Sequence, residues 1–150
     1  MIQQRLSEIG DKTARVVVAI PTRKAVTSIA QRVSVELDIP LGSKVGYSIR
    51  GQKISSPETN ILFVTTGVLL KMVIKDKKNF SERFDAVILD EIHIVSGDCE
   101  LLMVLLKSIT KDLKLVLMSA TTEVEKLDSY FGNLGYANVP GKLHHVQVRS

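Results

Sequence analysis

Two carboxylates, Asp90 and Glu91, stand directly after an unbroken apolar run, Ala86-Val87-Ile88-Leu89, and are followed by Ile92 and His93. A run of that length reads as a strand buried on both faces. Charges left unpaired in a dry core cost too much, so the pair needs a cation, water or both. In open α/β sheets, ligands gather beyond the carboxyl ends of the strands. The chemistry suited to this spot is the binding of a metal ion and a nucleotide. A solvated strand-to-loop turn is the plainer reading of the same two residues.

Three further apolar runs end in small polar or charged residues. Ile20 leads to Pro21-Thr22-Arg23, Val64 to Thr65-Thr66-Gly67, and Met118 to Ser119-Ala120-Thr121. If the four strands are parallel, their ends lie along one edge of a sheet. Hydroxyls, a guanidinium and two carboxylates then converge there. A scaffold has no need of such a row, whereas a site for nucleotide and phosphate does.

The elements that must position these residues alternate between strand and helix. A short helix is expected over 2–9. Val16 to Ile20 reads as a buried strand closed by Pro21. From Lys24 to Leu37 the apolar residues Val26, Ile29, Ala30, Val33 and Leu37 recur at helical spacing. Val45 to Ile49 is a short alternating strand, Ile61 to Val64 a buried one, and Gly67 to Ile74 a helix. Phe84 to Leu89 is the strand that carries the carboxylates. A strongly apolar helix follows over Leu101 to Ile109, then a strand over Leu113 to Met118 and a helix near Glu123 to Phe131. The tail, Ala137 to Val148, has β character. Strands alternating with helices predict an α/β fold, with a mostly parallel sheet covered by helices on both faces.

The chain has 150 residues, 45% of them hydrophobic and 24% charged, the balance of an ordinary globular protein. Aromatics make up 5% and Trp is absent, so the core must rest on Val, Ile and Leu. The net charge of +4 suits nucleic acid but equally suits a plain basic surface. Cys99 is the single cysteine, so no internal disulfide forms, as in a reducing compartment. With His93, His144 and His145 it makes no zinc ligand set. No apolar stretch approaches the roughly 20 residues of a membrane span. Met1 to Asp11 is too polar for a signal peptide. An intracellular protein without membrane contact is expected; nothing separates cytoplasm from nucleus.

Taken in order, these segments resemble the motif series of superfamily 2 helicases of the DEAH/DExH type. The match runs through Pro21-Thr22-Arg23, Ser28-Ile29-Ala30-Gln31-Arg32-Val33 and Val45-Gly46-Tyr47-Ser48-Ile49-Arg50. It continues through Thr65-Thr66-Gly67-Val68-Leu69, Asp90-Glu91-Ile92-His93 and Met118-Ser119-Ala120-Thr121, and ends near Val139-Pro140-Gly141. Each tripeptide alone is weak, but the ordered set is strong and covers nearly the whole chain. The resemblance implies a RecA-like P-loop NTPase fold, with 1–150 a partial first RecA-like, ATP-binding domain.

It also implies roles. Asp90 would hold Mg²⁺ through water, and Glu91 would polarise the water that attacks the γ-phosphate of ATP or another NTP. His93, with Ser119, Ala120 and Thr121, would couple nucleotide state to a second RecA-like domain. Thr22 and Arg23, and then Thr65, Thr66 and Gly67, would grip the backbone of single-stranded RNA at two helix starts. The plainer reading of the threonines is helix capping. Thr121 or Thr122 would likewise cap the helix near Glu123. Gln31 and Arg32 read equally well as surface residues, and Lys75 to Lys78 as a solvated loop.

Two departures from the family pattern stand out. Ile94-Val95 follow His93 where Glu-Arg is usual, and Pro21-Thr22-Arg23 replaces the Pro-Arg-Arg common in cellular members. More consequential, the chain holds no Gly-x-x-x-x-Gly-Lys-Ser/Thr. In the family that phosphate-binding loop and the strand before it lie just upstream of the helix that 2–6 resembles. The expectation is a part of an ATP-dependent RNA helicase, inactive by itself. The alternatives are a catalytically dead module that binds RNA or protein, and a DNA helicase or translocase. Without its first strand the sheet would have an open edge, so association is expected.

Overall fold

A computed structural model of the chain describes residues 13–92, 96–109, 113–120, 124–132, 134–135 and 137. The helix expected over 2–9 and the β tail from 138 onward lie outside them.

Six strands form one sheet in the order β3-β2-β4-β1-β5-β6. They are β1 (Val16–Ile20), β2 (Val45–Ile49), β3 (Gln52–Ile54), β4 (Ile61–Thr65), β5 (Ala86–Leu89) and β6 (Lys114–Leu117). All neighbours pair in parallel except β2 and β3, which form an antiparallel hairpin. The helices are α1 (Arg23–Glu36), α2 (Thr66–Lys75), α3 (Phe80–Arg83), α4 (Gly97–Lys107) and α5 (Val124–Phe131).

The apolar runs are explained by two cores, one on each face of the sheet. On one face Val16, Val18 and Ile20 of β1 and Val45, Tyr47 and Ile49 of β2 pack with Val26 and Ala30 of α1. On the other, Val17 and Ala19 of β1, Val87 and Leu89 of β5 and Val64 of β4 pack with α2 and α4. β1 is therefore buried at every residue, which is why it reads as a run rather than an alternation. β2 does alternate, because Gly46 and the half-buried Ser48 are not part of that packed apolar face.

Helix ends follow local chemistry that apolar periodicity does not report. The Thr22 hydroxyl accepts from the Ala25 N–H at 3.3 Å and starts α1. Leu37, expected inside the helix, is its C-cap, and Asp38 takes φ 52 just beyond. Ser34 is buried, its hydroxyl donating to the Ile39 carbonyl at 2.5 Å. The fourth helix begins at Gly97, four residues ahead of the expected Leu101, because the Ser96 hydroxyl accepts from the Cys99 N–H at 3.2 Å. Asp98 and Glu100 in its first turn favour that start.

Two elements were not anticipated. β3 follows a tight turn in which Gly51 takes φ +83. The chain after β3 then folds across β2 so closely that a Cβ at Gly46 would lie 2.5 Å from the Ile54 carbonyl oxygen. The other is α3, one turn that buries Phe80 completely against Phe84, with ring centroids 5.1 Å apart. Its presence moves the start of the fifth strand from the expected Phe84 to Ala86. No helix among the described residues is long and apolar enough to cross a membrane.

Candidate functional site at the strand ends

Strand register decides whether the four polar strand ends meet. Ile20 pairs with Thr65, Ala19 with Leu89, and Leu89 with Leu117. The C-terminal ends of β4, β1, β5 and β6 are therefore level to within about a residue and adjacent in that order. At about 4.8 Å between strands, the row from Thr65 to the Ser119 region spans roughly 14 Å. Backbone hydrogen bonds extend the row past the strands. Asp90 N–H donates to the Ala19 carbonyl at 2.9 Å, Met118 N–H to Leu89 at 2.8 Å, and Ile92 N–H to Met118 at 3.1 Å.

In the middle of this row, Asp90 is half-buried and Glu91 exposed. The Asp90 Oδ1 accepts from the Glu91 N–H at 2.8 Å. Glu91 takes φ 53, a left-handed conformation that costs a non-glycine residue about 1–2 kcal/mol. The bend turns the chain sharply at the strand end, so the second carboxylate does not continue the pleat that buries Leu89. One Asp90 oxygen is thus engaged by backbone, and its partner and the Glu91 carboxylate have no hydrogen bond among the described residues. Neither forms an ion pair among the described residues. Such oxygen donors fit a hard divalent cation that keeps part of its water shell. No group of three potential protein ligands gathers among the described residues. His93 lies outside the described residues.

Thr22 and Thr65 occupy equivalent places but are used differently. Thr22 caps α1, and Arg23 donates from Nη2 to the Arg50 carbonyl at 3.1 Å, tying the helix start to the β2–β3 turn. Thr65 is the N-cap of α2 by position, with φ −75 and ψ 153, yet its side chain makes no capping bond. Thr65 and Thr66 are half-buried at the level of the row. Gly67 sits so close to α4 that a Cβ there would lie 3.0 Å from the Asp98 Oδ2. An acidic group therefore stands beside the N-terminus of α2, where its charge is favourable for the helix. Sequence reasoning passed over Asp98. The signal was present in Ser96 as a cap with an acid two residues later.

Ser119 and Ala120 are exposed just past β6, and both make interactions within the chain. Thr121 and Thr122 lie outside the described residues, so the cap of α5 does too. Arg32 pairs with Glu36 at 2.8 Å on the outer face of α1, the surface role foreseen as its alternative; that carboxylate raises the guanidinium pKa further. Cys99 is buried in α4, and burial pushes its thiol pKa up, away from reactivity.

A mostly parallel sheet with helices on both faces, and a level row of hydroxyls and carboxylates at adjoining strand ends, is the RecA-like arrangement of nucleotide-driven enzymes. The chain belongs to the DEAD/DEAH box helicase family, whose model matches residues 1–130. It is 41% identical over 137 residues to a rat protein, probable ATP-dependent RNA helicase DHX40 (Rattus norvegicus). It is 40% identical over 137 residues to the human protein of that name (Homo sapiens). In each case the match covers 86% of this chain and 17% of the relative, so the chain spans about a sixth of the relatives' length.

Proposed function

We propose that the chain is part of the first RecA-like domain of an ATP-dependent RNA helicase and carries the acidic half of its nucleotide site. The observation that supports this most is Asp90 and Glu91 in the middle of the level row of strand ends, in a chain of this family. Asp90 would bind Mg²⁺ through water, using the carboxylate oxygen that the Glu91 N–H leaves open. When bound, the metal neutralises charge on the β- and γ-phosphates. The exposed Glu91 carboxylate accepts a proton from the attacking water. His93, Ser119 and Thr121 pass the state of the site to a second RecA-like domain.

The nucleic acid partner in this reading is single-stranded RNA, held by its backbone at the starts of α1 and α2. Free N–H groups and the positive dipole end of each helix attract phosphate. The Thr65 hydroxyl, not engaged in capping, adds a donor. Thr22 spends its acceptor on Ala25 but keeps its O–H to donate. Contacts of this kind carry no base information, so binding is sequence-independent. Asp98 limits how closely a phosphate approaches α2.

These 150 residues contain no phosphate-binding loop, so the chain alone should not turn over NTP. In a longer protein containing the chain, Glu91→Gln should abolish RNA-stimulated ATP hydrolysis while RNA binding persists. Hydrolysis that survives the substitution removes Glu91 from its role. RNA-stimulated hydrolysis by the 150-residue chain itself, lost with Glu91→Gln, would sink the claim of inactivity. A second reading, an inert RNA-binding module, draws on the Thr65 hydroxyl, which makes no capping bond at the start of α2. It predicts RNA affinity but no turnover even in the longer protein. Unwinding of RNA against DNA duplexes by that protein separates an RNA helicase from a DNA translocase.

A further inference from the structure

Away from the strand ends, a groove of about 460 Å³ opens beside α2. Its floor is apolar: Leu62 of β4, Met72 of α2 and the Phe84 ring. Its far wall depends on a missing side chain. Only hydrogen at Gly46 allows the Ile54 carbonyl and Ser55 to cross β2, since a Cβ would lie 2.5 Å from the first and 3.0 Å from the second.

Three cations, Arg15, Lys53 and Arg83, stand around this floor, and no carboxylate is among the lining residues. None of the three forms an ion pair among the described residues, where the salt bridge found is on α1. Asp85 lies nearby and keeps its negative charge while its Oδ2 accepts from the Arg15 backbone N–H at 2.7 Å. The Arg83 guanidinium lies 5.6 Å from the centroid of the Phe84 ring. Two lining hydroxyls, Ser48 and Ser55, have no protein hydrogen-bond partner among the described residues. Three positive charges line the groove against the one nearby carboxylate of Asp85, an excess that favours an anionic ligand. Donors over an apolar floor make a second demand, for a ligand with an apolar part. The volume suits a small molecule.

We infer that this groove binds a small organic phosphate. Arg15, Lys53 and Arg83 hold its anionic group with the Ser48 and Ser55 hydroxyls, and Leu62, Met72 and Phe84 receive its ring or apolar portion. The groove is separate from the carboxylate row. Its lining runs from Arg15 before β1 and Leu62 in β4 to Ser48 in β2 and Val68 in the first turn of α2, and includes neither Asp90 nor Glu91. Binding here needs neither Asp90 nor Glu91.

Equilibrium dialysis of the chain against AMP in EDTA tests it, with no divalent metal to recruit the strand-end carboxylates. Inorganic pyrophosphate and adenosine serve as probes of the two halves. The expected result is saturable binding of AMP at one site per chain, tighter than either probe. Lys53→Ala with Arg83→Ala should weaken it by about tenfold or more, as loss of charge-assisted hydrogen bonds does. Lys53→Arg with Arg83→Lys should retain most of it. Circular dichroism of each pair separates loss of charge from loss of fold. No saturable binding at millimolar AMP, or equal affinity in the alanine and charge-retaining pairs, overturns the proposal. Pyrophosphate binding as tightly as AMP overturns its apolar half.

Discussion

Two threonines at matching places in the sequence have different work in the fold. Thr22 is occupied in capping α1, and Thr65 leaves its hydroxyl unspent at α2. Thr22→Val should therefore cost about 1 kcal/mol of stability, the usual worth of an N-cap. Thr65→Val should leave the melting temperature nearly unchanged and weaken single-stranded RNA binding by about tenfold, the loss of a hydrogen bond to a charged group. Thermal melts and fluorescence-anisotropy titrations of the two variants check both halves. If both variants lose stability equally and neither loses RNA affinity, the threonines are structural. At the same scale, Asp90 and Glu91 were legible because a charge pair after a buried strand has few explanations. The left-handed φ of Glu91 was not, because nothing in a glutamate foretells it.

Elements were legible where their packing is two-sided and regular. The strands β1, β4 and β5 are apolar runs because helices cover both faces, and α1 shows its stripe because only one side meets the sheet. The missed pieces lack those signals. β3 is three residues, Gln52–Ile54, and exists because Gly51 turns the chain and Gly46 leaves room. Gly46→Ala should force the Ile54 carbonyl away and cost about 1–3 kcal/mol, as overpacking does. Loss of hydrogen-exchange protection should then be greatest at β2 and β3. α3 is a single turn, too short for any period, but Phe80 at its start is fully buried. Phe80→Ala should cost about 3–5 kcal/mol, by transfer and cavity together. Chemical denaturation measures it, and a loss below about 1 kcal/mol would show that the α2–β5 connection does not anchor the core.

For the whole molecule, the sheet order places β6 at one edge, with a single strand neighbour among the described residues. Val116 is 44% exposed and Met118 41% exposed on and just beyond this strand. An apolar edge with no second strand neighbour among the described residues is a template for another strand. The chain should self-associate as concentration rises, read by sedimentation velocity, and Val116→Lys should shift it toward monomer. A chain that stays monomeric across the concentration range removes the edge as an adhesive surface. The opposite edge is β3, whose Gln52 and Lys53 are exposed and polar, so it does not share this liability.

The sequence alone determined the fold class, the run of strands and helices, the family resemblance and the polar residues that close each strand. These follow from local pattern: period, composition and the cost of burying charge. Tertiary structure decided what local pattern cannot carry. Register made the four strand ends level, hydrogen bonding separated Thr22 from Thr65, and Gly46 brought Ser55 across β2. It also set three cations from distant segments around one apolar floor. Those outcomes depend on contacts between residues far apart in the chain, and no spacing along the sequence encodes such distances.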